Sequence, residues 1–307
     1  MVRRALAQAL EAGDEILLLG LTPPRASVPS TDAATIAEVT LGRLAGLDLD
    51  GLVLYDIDDE GDRNPDQRPF PYLPTMDPAA WHADHLGAWR LPVVIYRCIG
   101  KYPAADLSRW LRTVPTDQVM SVFVGPSSSA KPVLTRLDEA HALRDHLRPD
   151  LTLGGVAITE RYIRRGDEHL RMLAKQDRGS SFFVSQVVYN VDATKSLLSD
   201  YFHACAERGV RPRPVLFTLS VCGSVKTLAF LRWLGVDIPR WLENSLSRSP
   251  DPLAESFEQC VANARDLAAF CRRLGAPFGF NVESVSIRKA EIDASIQLAK
   301  EIRAMLR

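Results

Sequence analysis

Eight short apolar runs, each divided from the next by a stretch of helical periodicity, constrain this chain more than any other feature. They lie at 15–20, 51–56, 91–98, 118–125, 153–158, 182–188, 214–220 and 278–283. Runs this short, rich in Val, Ile, Leu and Phe, suit strands buried on both faces. Helical spacing fills most of the intervals, at 5–12, 31–47, 76–86, 104–113, 137–147, 193–208, 226–234, 238–246, 252–274 and 288–306. Between the fifth and sixth runs, Leu170, Leu173 and Ala174 recur at helical spacing after Gly166-Asp167, and Gly179 stands where a C-terminal cap needs the left-handed region. Parallel strands need such crossovers, which are nearly always right-handed. No linker or composition shift divides residues 1–307, so the alternation predicts one parallel α/β domain. A count of eight matches a closed (β/α)8 TIM barrel, although an open doubly wound sheet uses the same alternation. The 307 residues exceed the ~250 that such a barrel typically takes.

Several function classes are disfavoured by what the sequence lacks. No GxGxxG opens a helix after a strand, and no phosphate-binding P-loop occurs. A formal net charge of -1 supplies no basic field for nucleic acid or a membrane surface. No apolar run reaches ~18 residues, and residues 1–13 carry Arg3 and Arg4 without the apolar core of a signal peptide. Five cysteines, Cys98, Cys205, Cys222, Cys260 and Cys271, are scattered and form no CxxC, the pattern of reduced thiols in a cytoplasmic protein. No metal site is predicted. The acidic run from Asp56 to Asp62 lacks calcium-loop spacing, and the six histidines form no HExxH. Ser127-Ser128-Ser129 reads as a polar loop, with an anion cradle as its alternative. The long loop after 56, rich in Asp and Pro, is of the length usually reserved for functional segments.

Barrel sites gather at C-terminal strand ends. Read in order, these ends carry Gly20, Tyr55-Asp56, Tyr96-Arg97, Gly125, Glu160-Arg161, Gln186 to Tyr189, Ser220 and Asn281 to Glu283. Donors, aromatics and carboxylates together suit a large polar ligand. Lys175 and Glu168 are seven apart on one helix face, where two solvated side chains are the simpler reading.

The stretch from Leu153 to Asp192 resembles the methylenetetrahydrofolate reductase family of flavin-bearing (β/α)8 barrels. The matching residues are Leu153-Gly154-Gly155-Val156-Ala157-Ile158, Glu160-Arg161, Lys175, Gly179 and Phe182-Phe183-Val184-Ser185-Gln186. This resemblance favours the closed barrel. It implies noncovalent FAD, NADH or NADPH as hydride donor, and a folate-type substrate, hence a flavoprotein oxidoreductase of one-carbon metabolism. It further implies that Lys175, Glu168 and Arg161 hold the cofactor's phosphates and hydroxyls, with Glu160, Arg97 and Tyr189 in the same cofactor group. Gln186 would orient the pterin or nicotinamide, its amide offering both a donor and an acceptor. Neither nucleic acid nor a membrane is an expected partner, and a homo-oligomer is allowed.

The chain departs from the family's pattern at two places. Gly20, in Leu19-Gly20-Leu21-Thr22-Pro23-Pro24-Arg25, stands where the family carries its proton-donating Glu, and Val124-Gly125-Pro126 replaces an Arg-Gly-Asp. Glycine cannot donate a proton. Glu283, ending the eighth run, and Asp56, ending the second, are the carboxyls whose strands flank the first in a closed barrel. Burial would raise either toward a general-acid range. Glu283 could instead pair with Arg288 or Lys289, and Asp56 could order its loop. The rival to a reductase is a non-redox or altered-chemistry folate- or pterin-binding member, or a regulatory protein with a vestigial pocket.

Overall fold

Every one of the eight runs folds as a strand, and the strands close in sequential order, β1 through β8, into a parallel barrel. The computed structural model describes residues 5–126 and 132–307, apart from the side chain of Arg63. Ser127, Ser128 and Ser129 therefore lie outside the described residues. In chain order the elements are α1 (Leu6–Ala12), β1 (Ile16–Leu21), α2 (Ser30–Leu44), β2 (Gly51–Leu54), α3 (Pro78–His85), β3 (Val93–Cys98), α4 (Ala104–Thr113) and β4 (Val119–Val124). Then come α5 (Leu137–Leu147), β5 (Leu153–Ala157), α6 (Thr159–Arg165), α7 (Glu168–Asp177), β6 (Ser180–Val187), α8 (Val191–Glu207) and β7 (Val215–Ser220). Helices α9 (Val225–Trp233), α10 (Arg240–Arg248) and α11 (Pro252–Leu274) precede β8 (Phe278–Glu283) and α12 (Lys289–Leu306). The chain is a single-domain (β/α)8 barrel.

Two features differ from the sequence reading. The polar stretch after β5, to which the periodicity assigns no element, is the two-turn helix α6, stopped by Gly166 in the left-handed region at φ 69°. Seven residues are too few to show a 3.6-residue period, which is why periodicity missed it. Helix α2 starts at Ser30, one residue ahead of the helical spacing at 31–47; Pro29 precedes it, and no side chain caps that end.

Within the barrel the chain packs into two compact units, Gly20–Gly154 and the remainder. In Gly20–Gly154, β2, β3 and β4 are buried and pair in parallel. The long loop ahead of α3 is tethered. Ala26 N–H donates to the Pro74 carbonyl at 2.8 Å and Met76 N–H to that of Pro24 at 2.8 Å, flanking a bridge between Arg25 and Thr75.

In the other unit, β6 pairs with β7, β7 with β8, and β8 with β1, all in parallel. The Arg272 guanidinium of α11 sits 5.9 Å from the Phe278 ring, so Phe278 faces the helical layer. By the two-residue alternation of a strand, Gly279, Asn281 and Glu283 face the barrel interior. Gly279 has no room for a side chain: a Cβ there would stand 2.6 Å from the Ile16 carbonyl oxygen.

Candidate functional site

Three side chains expected to hold a cofactor come together on α6 and α7. Gly166 turns the chain so that α7 starts with Glu168 facing the end of β5. The Glu168 carboxylate is wholly buried, while Arg161 and Lys175 keep about a quarter to a third of their side-chain surface, at 26% and 30%. Glu168 Oε2 accepts from Arg161 Nη1 at 2.8 Å. Its Oε1 accepts from Ile158 N–H at 3.2 Å and lies 3.5 Å from Lys175 Nζ, which also donates to the Val156 carbonyl. Gly155 makes the Lys175 path available, since a Cβ there would meet Lys175 Cδ at 3.2 Å and Phe183 Cε1 at 3.0 Å. Burial pushes the Lys175 ammonium below its ordinary value, against the opposing pull of Glu168. The carboxylate expected to meet ribose or ribitol hydroxyls thus spends its lone pairs on its own chain.

Glu160 lies outside that group. It is buried in the first turn of α6, and its Oε1 accepts from Asp237 N–H at 3.1 Å. The Asp237 carboxylate accepts from Asn190 Nδ2 at 2.6 Å, while Asn190 Oδ1 caps α8 by accepting from Ala193 N–H at 3.0 Å. Glu160 Oε2 is buried with no hydrogen-bond partner among the described residues. Burial pushes the Glu160 pKa above the usual carboxylate value, and the neighbouring Asp237 charge acts in the same direction. Asn190 carries a cap signature in the sequence, but nothing local marks Asp237 as its partner.

The polar strand ends of β6, β7 and β8 form a second layer. Strand β6 loses register with β7 between Val184 and Val187. There Ser185 Oγ takes the place of a ladder carbonyl, accepting from Thr218 N–H at 2.9 Å, and Thr218 Oγ1 donates to the Ser185 carbonyl at 2.8 Å. Asn281 Nδ2 donates to Thr218 Oγ1 at 3.3 Å. Gln186 sits at the irregularity, half-buried, its Oε1 accepting from Val187 N–H at 3.0 Å. Glu283 ends β8 in register with Ser220. Of the two cations that could pair with it, Arg288 lies 3.6 Å from Glu291 and Lys289 pairs with Asp293.

Tyr189 is not on the open face. Its ring is buried with Cys222, Leu228, Leu231, Leu242 and Leu246, and its hydroxyl donates to the Ser220 carbonyl at 2.7 Å. A tyrosine just past a strand end looked like a ligand contact because sequence cannot show that the helices after β7 fold over it. Glu291 is a buried carboxylate that sequence reading missed. It accepts from Thr227 Oγ1 at 3.2 Å and lies across Gly223, where a Cβ would stand 2.5 Å from its Cγ.

In the Gly20–Gly154 unit, Asp56 is an anchor. Its side chain keeps 1% of its surface, and its oxygens accept from Cys98 N–H at 2.7 Å, Tyr102 Oη at 2.9 Å and Lys101 Nζ at 2.6 Å. A carboxylate so enclosed orders the segment after β3, the loop-ordering alternative rather than an open acid. Arg97 is buried too. Its Nη1 donates to both oxygens of Asp77 at 2.9 and 2.7 Å, and its guanidinium lies 3.9 Å from the Tyr102 ring centroid and 4.8 Å from that of Trp110.

Asp77 also caps α3. Burial alone would raise its pKa, but the Arg97 charge and the Ala80 N–H overcome this and hold it below the ordinary carboxylate value. A carboxyl with a depressed folded pKa contributes stability above its unfolded value, and loses it as pH falls through the folded value. Thermal melts across an acid series are therefore expected to show Asp77→Asn less stable at neutral pH and less sensitive below about pH 4. An acid arm identical to the parent's would remove this account.

Among the described residues no cluster of three or more His, Cys, Asp or Glu could hold a metal ion, and no helix is long and apolar enough to cross a membrane. Strand order and polar strand ends define the class: a TIM barrel with a polar C-terminal face. An uncharacterized protein from Clostridium thermocellum that binds two copies of 5-methyl-5,6,7,8-tetrahydrofolic acid shares 40% identity with the chain. The match covers 98% of this chain and 99% of that one, with a TM-score of 0.86. The chain belongs to the family of that Clostridium thermocellum protein. A GH10 endoxylanase retrieved from a sugarcane soil metagenome (11% identity, 96% and 99% of the two chains, TM-score 0.51) shares the fold alone. So does EDTA monooxygenase from Chelativorans sp. BNC1 (10% identity, 95% and 94%, TM-score 0.51). No protein-family model and no curated protein matches the chain.

Proposed function

We propose that the chain binds a reduced folate carrying a one-carbon unit, of the 5-methyltetrahydrofolate kind, at the C-terminal ends of β5 to β8. The observation that carries this reading is the 40% identity, over essentially both whole chains, to a protein that binds two copies of that compound. The strand ends add chemical support. A pteridine head presents donors and acceptors along one edge, and Gln186, Asn281, Thr218, Glu283 and Glu160 supply both kinds of group. Five free, buried cysteines suit a reducing compartment such as the cytoplasm.

A second reading keeps the redox chemistry of methylenetetrahydrofolate reductase, with hydride passing from NADH or NADPH through FAD to a folate one-carbon unit. The residues from Leu153 to Gln186 favour it. Glycine at position 20 and the closed Glu168 network count against it, because one supplies no proton and the other leaves no open acceptor for a flavin hydroxyl. Arg161 and Lys175 keep 26% and 30% of their side-chain surface, so of the three it is the buried Glu168 carboxylate that does not fit the flavin role.

Titration calorimetry of the purified chain with 5-methyltetrahydrofolate is expected to give saturable binding. Absence of binding would overturn the folate reading. Visible spectra with added FAD, then NADH under anaerobic conditions, separate the two readings: a bound flavin that bleaches would establish the reductase in place of the simple binder.

A further inference from the structure

We propose that Glu160 touches the bound folate, its Oε2 carrying a proton and donating it as a hydrogen bond to an acceptor on the reduced pteridine. This deepens the folate-binding reading and rests on it. Glu160 stands at the start of α6, directly past the C-terminal end of β5, on the face where barrels bind ligands. Its two oxygens are unequal. Oε1 is tied to Asp237 N–H, which fixes the carboxyl plane, while Oε2 is buried and unpartnered among the described residues. A buried polar atom without a partner costs about 1–3 kcal/mol, a cost a ligand atom would relieve.

The surroundings choose the protonation state. Asp237 brings a carboxylate beside Glu160, itself oriented by Asn190 Nδ2. Arg164, on the same helix, spends its Nε on the Glu160 backbone carbonyl. From α8, Thr194 bonds Thr159 and Asp200 bonds the Tyr162 hydroxyl. On α7, Glu168 is neutralised by Arg161 and Lys175. No cation bonds the Glu160 carboxyl among the described residues; burial, the largest influence, together with the Asp237 charge outweighs the backbone hydrogen bonds and the Arg164 charge and favours its neutral form. Neutral, it is a donor through Oε2; charged, it could only accept.

The two states predict opposite pH profiles. If the protonated form binds, affinity falls as pH rises through the Glu160 pKa, by about tenfold per unit above it. The experiment is calorimetric titration of 5-methyltetrahydrofolate into the parent chain, Glu160→Gln and Glu160→Ala, over a pH series and in two buffers of different ionisation enthalpy. Far-ultraviolet circular dichroism confirms that each variant folds. The expected result is a parent affinity that declines with pH, a Gln variant that binds as the parent does at low pH with a flat profile, and an Ala variant weaker by about three- to tenfold. A Gln variant with the parent's pH profile would show that Glu160 only clips the Asp237 segment and overturn the proposal. An affinity that rises with pH in the parent and is lost in Gln would overturn it as well, since Oε2 would then be an acceptor. Failure of the parent itself to bind at any pH is a different result and removes the folate reading beneath it.

Discussion

Gly279→Ala is expected to be the most damaging conservative substitution in the barrel. The added Cβ would stand 2.6 Å from the Ile16 carbonyl oxygen, 2.7 Å from Leu216 Cδ2 and 2.9 Å from Ile16 Cβ. Two of the three contacts belong to Ile16 at the β1–β8 seam, where Ile16 pairs with Gly279. A flexible tip could swing aside; a backbone carbonyl in a parallel ladder cannot move without disturbing its hydrogen bonds. Overpacking of a core typically costs about 1–3 kcal/mol, and a contact with backbone belongs at or beyond the top of that range. Urea unfolding should show a midpoint lowered by a loss of about 3 kcal/mol or more, or no cooperative transition. A midpoint equal to the parent's would mean that the seam opens easily, and the account of Gly279 would be wrong.

Glu168→Ala is expected to cost nearly as much, for an electrostatic reason. Glu168 is fully buried and holds Arg161, Lys175 and the Ile158 N–H together. Removing it leaves two cations and an amide facing each other. Breaking a buried pair costs about 3–5 kcal/mol. Arg161 and Lys175 keep part of their solvent contact, so about 2–4 kcal/mol is the expected loss here. Glu168→Gln keeps the Ile158 bond and the volume, and should recover part of the stability. If Glu168→Ala melts with the parent but abolishes ligand binding, the carboxylate serves a ligand and not the fold.

Much of the barrel was legible because the signals that specify its elements are local. Helices α4, α5 and α11 and strand β8 begin and end where the sequence reading put them. Helix α11 shows why: Asp251 caps it, Pro252 opens it, and Gly275 closes it at φ 73°. Gly179, expected in the left-handed region, has φ 93°. Helix α6 was missed because seven residues carry no usable period. Around the site, the spacing of Glu168 and Lys175 placed them on one helix face, and the structure brings them together. That Arg161 and a β5-end amide would close the same carboxylate was not visible. For Asp56 the sequence left a general acid and a loop-ordering carboxylate open, and its partners at 98, 101 and 102 enclose it as the second. Glu160 meets Asp237 across 77 residues of chain, a separation that no local pattern encodes.

By itself the sequence determined the alternation of strand and helix, the count of eight, and the strand ends that carry polar side chains. Those follow from hydrophobic period, capping and turn chemistry, all written within a few residues. Only the tertiary structure decided which carboxylates are spent on the fold and which keep an unpartnered oxygen. Burial and hydrogen-bond partners depend on what the rest of the chain brings alongside. For that reason Asp56, Glu168 and Glu160, three acidic residues alike on paper, are an anchor, an ion-pair hub and a carboxyl with one unpartnered oxygen.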